Sequence, residues 1–174
     1  LSGSPGSRLV KGRACADRIC AAGQCAGSST ALALAGLTAH MPAGKGISFR
    51  DSRFGLVIAL SPQMHNSRSR YGLYPGSWDG IVTPVLVVTG TKDFTWAPAV
   101  RRNPDMRRIS YDSMPAGDKF LVDIKGAEHH AFTDSDPCYP GGRRDPRHHT
   151  WIQQATLAYL DAFLKHNESA EKWL

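Results

Sequence analysis

The sequence predicts an α/β protein, a partly parallel sheet flanked by helices, and three observations carry that expectation. Apolar runs rich in β-branched residues recur at residues 54–60 (FGLVIAL), 84–93 (PVLVVTGTKD) and 119–129 (KFLVDIKGAEH), as expected of strands covered on both faces. Residues 19–37 read ICAAGQCAGSSTALALAGL, a short strand that turns through glycines straight into a small-residue helix. Near the carboxyl end, Ile152, Ala155, Tyr159 and Phe163 fall at three- and four-residue steps, the stripe of a helix lying on a sheet.

Taken in order, residues 1–13 form a Gly/Ser-rich start, and the first strand leads through its turn into a helix that runs to about Leu37. A loop through Pro42, Gly44 and Gly46 precedes the strand at residues 54–60. Residues 64–78 are rich in Ser, Arg, Tyr, Gly and Pro and lack both apolar periods, so they read as a long loop over the mouth of the site. Its Met64, Tyr71, Leu73, Tyr74 and Trp78 either shape a pocket or cover the core. After the strand at residues 84–93, residues 100–108 read as a polar helix or turn, and the last helix spans Thr150 to about Lys165. No internal repeat interrupts this plan, and residues 1–174 read as a single domain.

The chemistry concentrates at the first turn. Gly23-Gln24-Cys25-Ala26-Gly27 places a cysteine at the apex between strand and helix, the arrangement in which a nucleophile stands exposed on a strained turn. Gly23 and Gly27 are expected to keep the helix from crowding the strand, and Ser28, Ser29 and Thr30 to cap its free N–H groups. The positive end of the helix favours thiolate at Cys25, and the N–H of Ala26 points where an oxyanion would develop. Asp93 and His129 each follow a strand, so nucleophile, acid and base succeed one another in the chain order of a hydrolase triad, with room for a βα unit between members. His129 then takes the thiol proton and Asp93 fixes the imidazole tautomer; His130 is the alternative base if the loop register differs by one. Gln24, Phe94 and Trp96 lie where substrate would reach.

The chain resembles the carboxyl-terminal half of an α/β-hydrolase of the dienelactone-hydrolase and platelet-activating-factor-acetylhydrolase-like group. The resemblance rests on DRICAAGQCAGS (17–28), LSPQ (60–63), TPVLVVTGTKD (83–93), RRISYDSMPAGDKFLVDIKGAEH (107–129) and the closing helix. The acetylhydrolase-like members carry Gly-His-Ser-x-Gly at the elbow, and the cysteine is instead similar to dienelactone hydrolases proper. The resemblance implies cleavage of a carboxylic ester or lactone by Cys25, His129 and Asp93 through an acyl enzyme, with no cofactor. It also implies that the first strands of the sheet and the second oxyanion donor lie outside this chain. The expectation is therefore a piece of a larger fold or one partner of an assembly, possible homo-oligomers included, with the strand through Ile19 presenting a long apolar edge. Two alternatives stay open: a noncatalytic hydrolase-fold module for binding or assembly, and a serine-type esterase with a substituted nucleophile.

Composition sets further bounds. With 41% hydrophobic and 21% charged residues the chain has ordinary globular usage, and its longest apolar runs fall well short of the roughly 18 residues a membrane span needs. The net charge of +6 and pI of 9.4 raise nucleic acid as a partner. The basic residues, clustered at Arg101, Arg102, Arg107, Arg108 and at Arg143, Arg144, Arg147, match no reading motif and are expected to be a solvated face. The histidine pairs at residues 129–130 and 148–149, with Asp134, Asp136 and Cys138, lack metal-ligand spacing, so no metal site is expected. Cys15, Cys20, Cys25 and Cys138 lack the C-x-x-C spacing of a redox pair; Cys20 is expected to act as a small apolar residue, and Cys15 with Cys138 is conceivable as a disulfide.

Overall fold

A computed structural model of the protein describes residues 15, 18–62, 72–94, 103–134 and 145–174. Its centre is a four-stranded sheet in the order β1 (Cys20–Gln24), β4 (Leu56–Leu60), β5 (Val85–Lys92), β6 (Lys119–Glu128), every neighbouring pair parallel. The sequence therefore folds as the α/β protein it predicts. Parallel strands need crossovers and coverage on both faces, and the side chains of β4 and β5 supply two cores by simple alternation. Val57, Ala59, Val85 and Val87 face one cluster with Ala31, Leu32 and Ala35 of α1 (Ala26–Ala35). Leu56, Ile58, Leu86 and Val88 face the other, with Ile152 and Tyr159 of α3 (Pro146–Lys165). The expected stripe of the last helix is confirmed at Ile152, Ala155 and Tyr159, all buried, with Phe163 packed against them.

Several expectations are corrected. The loop through Pro42, Gly44 and Gly46 is a hairpin, β2 (Thr38–Met41) antiparallel to β3 (Gly44–Ser48); glycines and a lysine in β3 hide its alternation. The last helix starts at Pro146 rather than Thr150, because Asp145 accepts a hydrogen bond from the N–H of Arg147 and Pro146 takes the first helical position, a favourable start whose proline loses no helical bond. The polar helix or turn expected over residues 100–108 is met, among the described residues, by a 3₁₀ turn at Pro104–Arg108, capped by Asn103 and continued by α2 (Ile109–Asp112). A second short helix, α4 (Glu168–Trp173), follows α3.

The edge at β1 is shorter than expected. Four of its five residues, CAAGQ, are small, with Ala21 buried and Ala22 exposed. From the segment at residues 64–78, Leu73 and Trp78 belong to the core, while Tyr74 stacks on His40 and shares a hydrogen bond with Thr38. Met64, Tyr71, Trp96, Cys138, Arg101, Arg102, Arg143 and Arg144 lie outside the described residues, and with Cys138 the disulfide expectation does too. Among the described residues no helix is long and apolar enough to cross a membrane.

Candidate active site

Four strands deliver four residues to one end of the sheet, each directly after its strand: Cys25 after β1, Ser61 after β4, Asp93 after β5 and His129 after β6. Open parallel sheets bind ligands outside the carboxyl ends of their strands. Backbone bonds hold these ends, two between neighbouring strands and one in the turn that ends β5. The N–H of Cys25 donates to Leu60 O at 3.0 Å, that of Ser61 to Val88 O at 2.7 Å, and that of Asp93 to Gly90 O at 2.9 Å.

Cys25 sits at φ 53°, ψ −117°, outside the regions open to an L-residue without strain. The next residue, Ala26, opens α1, so its N–H is one of the first-turn donors without an intrahelical acceptor. The two glycines of the turn divide their duties differently from expectation. A Cβ on Gly23 would stand 2.1 Å from Gly27 O, whereas one on Gly27 would meet nothing within 4 Å. Gly23 alone is required by close approach. Ser28 is buried, and its hydroxyl donates to Cys25 O instead of accepting from the helix, which has no side-chain cap; the expected capping by residues 28–30 is replaced by a tie that holds the elbow itself.

His129 brings the parts together. Its Nδ1 lies 2.8 Å from Asp93 Oδ1, and the ring also hydrogen-bonds Cys25. Burial works to lower the imidazole's pKa, but the hydrogen bonds with Asp93 and Cys25 and the charge of Asp93 outweigh burial and the opposing Arg107 charge, and the value is pushed up to about 9. Such a histidine keeps its proton at neutral pH, and a thiol bonded to it is drawn toward thiolate. His130 stands beside it with ring centroids 6.1 Å apart; the histidine against Asp93 is His129, in the register first expected. Asp93 is fully buried and takes a second bond at Oδ2 from the Thr89 hydroxyl at 3.1 Å.

Of the expected pocket residues, Gln24 approaches the ring, its Nε2 3.5 Å from His129 Nε2. Phe94 follows Asp93 and is 39% exposed. Cys20 behaves as an apolar side chain packed against the second core, and burial pushes its thiol up to about 11. Among the described residues no three His, Cys, Asp or Glu side chains converge as metal ligands.

Two members of the cluster escaped sequence reasoning. Ser61, at φ 48° and fully buried, places its hydroxyl 2.8 Å from His129 Nδ1. Its offset, one residue past a strand, is the same as for the other three and was a usable signal. Arg107, expected on a solvated face, is 1% exposed and reaches into the site, a correction to the charge reading. Arg147 keeps to the surface with Asp145, and the partly exposed Arg108 pairs with Asp123 at 3.7 Å.

No family model and no curated protein matches the sequence. Among solved structures, the monoacylglycerol lipase of Paleococcus ferrophilus is similar with a TM-score of 0.36 and 17% identity, the match covering 59% of this chain and 58% of that one. The chain thus spans under two thirds of the length of the lipase it matches.

Proposed function

We propose that the protein is an α/β-hydrolase-type enzyme that cleaves carboxylic esters or lactones through an acyl enzyme on Cys25. The observation that carries this reading is the single imidazole, His129, hydrogen-bonded through Nδ1 to buried Asp93 and also to Cys25 at the apex of a strained turn. The resemblance to dienelactone hydrolases at DRICAAGQCAGS and GDKFLVDIKGAEH supports it from the sequence.

In this mechanism the Cys25 thiolate attacks the carbonyl carbon, and the N–H of Ala26 donates to the oxygen that becomes negative. The C–O bond to the alcohol breaks as His129 Nε2–H gives its proton to the departing oxygen, leaving a thioester and a neutral imidazole. Water then gives a proton to His129 while its oxygen attacks the thioester carbon. The C–S bond breaks, the acid leaves, and the thiolate and imidazolium are restored. Asp93 keeps the ring oriented with Nδ1–H directed at its carboxylate. Thiolate is a good leaving group, so the second half of the cycle runs readily.

The test is capture of the intermediate. Mass spectrometry of the protein quenched during turnover of a slowly hydrolysed ester should find an acyl adduct on the peptide containing Cys25, absent in Cys25→Ala. No adduct, or one spread over the other cysteines, overturns the reading.

A further inference from the structure

Among the described residues Arg107 is the largest side chain buried to within 2% of complete, and every polar atom of its guanidinium faces the candidate site. Nη1 donates to Ser61 O and Pro62 O, both at 2.9 Å, where the chain leaves β4. Nε donates to Asp93 O at 3.3 Å, where it leaves β5, and lies 3.4 Å from Asp93 Oδ1. Nη2 stands 3.3 Å from His129 Nδ1. A rigid planar fork of five donors suits such a bridge, whereas the single ammonium of lysine does not. We propose that Arg107 is a positioning residue of the site: its guanidinium clamps the ends of β4 and β5 together and holds the Asp93 carboxylate against the edge of the His129 ring. The proposal rests on the ester-hydrolase reading.

The chemistry at Nδ1 gives the clamp a second consequence. Three groups crowd this atom: Asp93 Oδ1, which only accepts; Arg107 Nη2, which only donates; and the Ser61 hydroxyl, which does either. Asp93 draws a proton onto Nδ1, and the cation beside it opposes that proton. The other groups facing the ring are Cys25, Gln24 at Nε2 and the neighbouring His130 ring. Arg107 is therefore the one cation set against the imidazolium among the described contacts of the ring, and it limits how tightly Asp93 and Cys25 hold the proton His129 must give up. Burial lowers the pKa of Arg107, opposed by the charges of Asp93 and Cys25, which is the converse of the same coupling.

The experiment compares the full chain with Arg107→Gln and Arg107→Lys, following ester turnover and the His129 ring signals by NMR from pH 5 to 11. In Arg107→Gln, kcat should fall 10- to 100-fold with KM within about twofold, and the His129 midpoint should rise above its native position. Arg107→Lys should restore the midpoint while recovering kcat only in part. Native kcat and an unmoved midpoint in a folded Arg107→Gln overturn the proposal. Should that variant not fold, the unsubstituted protein decides: the Arg107 Nε–H signal is expected to exchange slowly and shift with the His129 titration, and a fast-exchanging or unresponsive signal overturns the clamp. The NMR readings need no turnover, so native activity in Cys25→Ala would sink the hydrolase reading separately.

Discussion

Nδ1 of His129 lies 2.8 Å from Oδ1 of Asp93, across 36 residues of chain, with the carboxylate completely out of water. The contact exists because β5 and β6 are adjacent and parallel, and their last residues leave the sheet side by side. Removing the carboxylate strips Arg107 of its ion-pair partner. Asp93→Ala should therefore lose about 3–5 kcal/mol of stability as an uncompensated buried charge, measured by urea unfolding, together with most of the esterase activity.

The elevated histidine makes a pH prediction of definite sign. A group whose pKa rises on folding stabilises the protein fully below its unfolded value, about 6.5 for histidine. That contribution is lost as pH climbs through the folded value of about 9. Unfolding free energy should fall across this window, and His129→Gln should flatten the fall. Turnover should decline over the same alkaline range as the imidazolium that protonates the leaving alcohol disappears.

The elbow glycines separate cleanly. Gly23→Ala drives a methyl group to 2.1 Å from Gly27 O and should cost about 3 kcal/mol or more, since backbone on both sides blocks relief. Gly27→Ala points into open space and should be neutral or gain about 0.5 kcal/mol from lower unfolded-state entropy. Thermal melts of the two variants check both.

Strain at Cys25 predicts a trade of function for stability. With φ at 53° and ψ at −117°, Cys25→Gly relieves a conformation costing about 1–3 kcal/mol and should melt higher than Cys25→Ala, both being inactive.

Thiol reactivity should differ sharply between Cys20 and Cys25. Cys20, with its pKa at about 11, carries a thiolate fraction of about 10⁻⁴ at pH 7. Cys25 should be alkylated by iodoacetamide at least about 100-fold faster, read by peptide mass spectrometry.

Much of this was legible in the sequence because strands buried on both faces announce themselves. The run at residues 84–93 marked both a central strand and the position of Asp93, and the run at residues 119–129, a strand through Glu128, marked His129. Arg107 was hidden because nothing local distinguishes it from Arg108, its partly exposed neighbour; only the tertiary fold decides which arginine points inward. The hairpin of β2 and β3 was hidden by Gly44, Gly46 and Lys45, residues of low strand propensity that pairing overrides. Ser28 looked like a helix cap because its type favours that role, yet its hydroxyl donates to the elbow.

The central claim is that Cys25, His129 and Asp93 form one hydrolytic unit, and the most direct test is turnover of para-nitrophenyl acetate and butyrate by the native chain beside Cys25→Ala, Cys25→Ser and His129→Ala. The account predicts measurable native turnover, its abolition in Cys25→Ala, and a loss of about 10²–10⁴-fold in kcat/KM for His129→Ala. Cys25→Ser should retain little, because a hydroxyl cannot form the ion pair with His129. Turnover no higher than background in the native chain, or undiminished in Cys25→Ala, would contradict it.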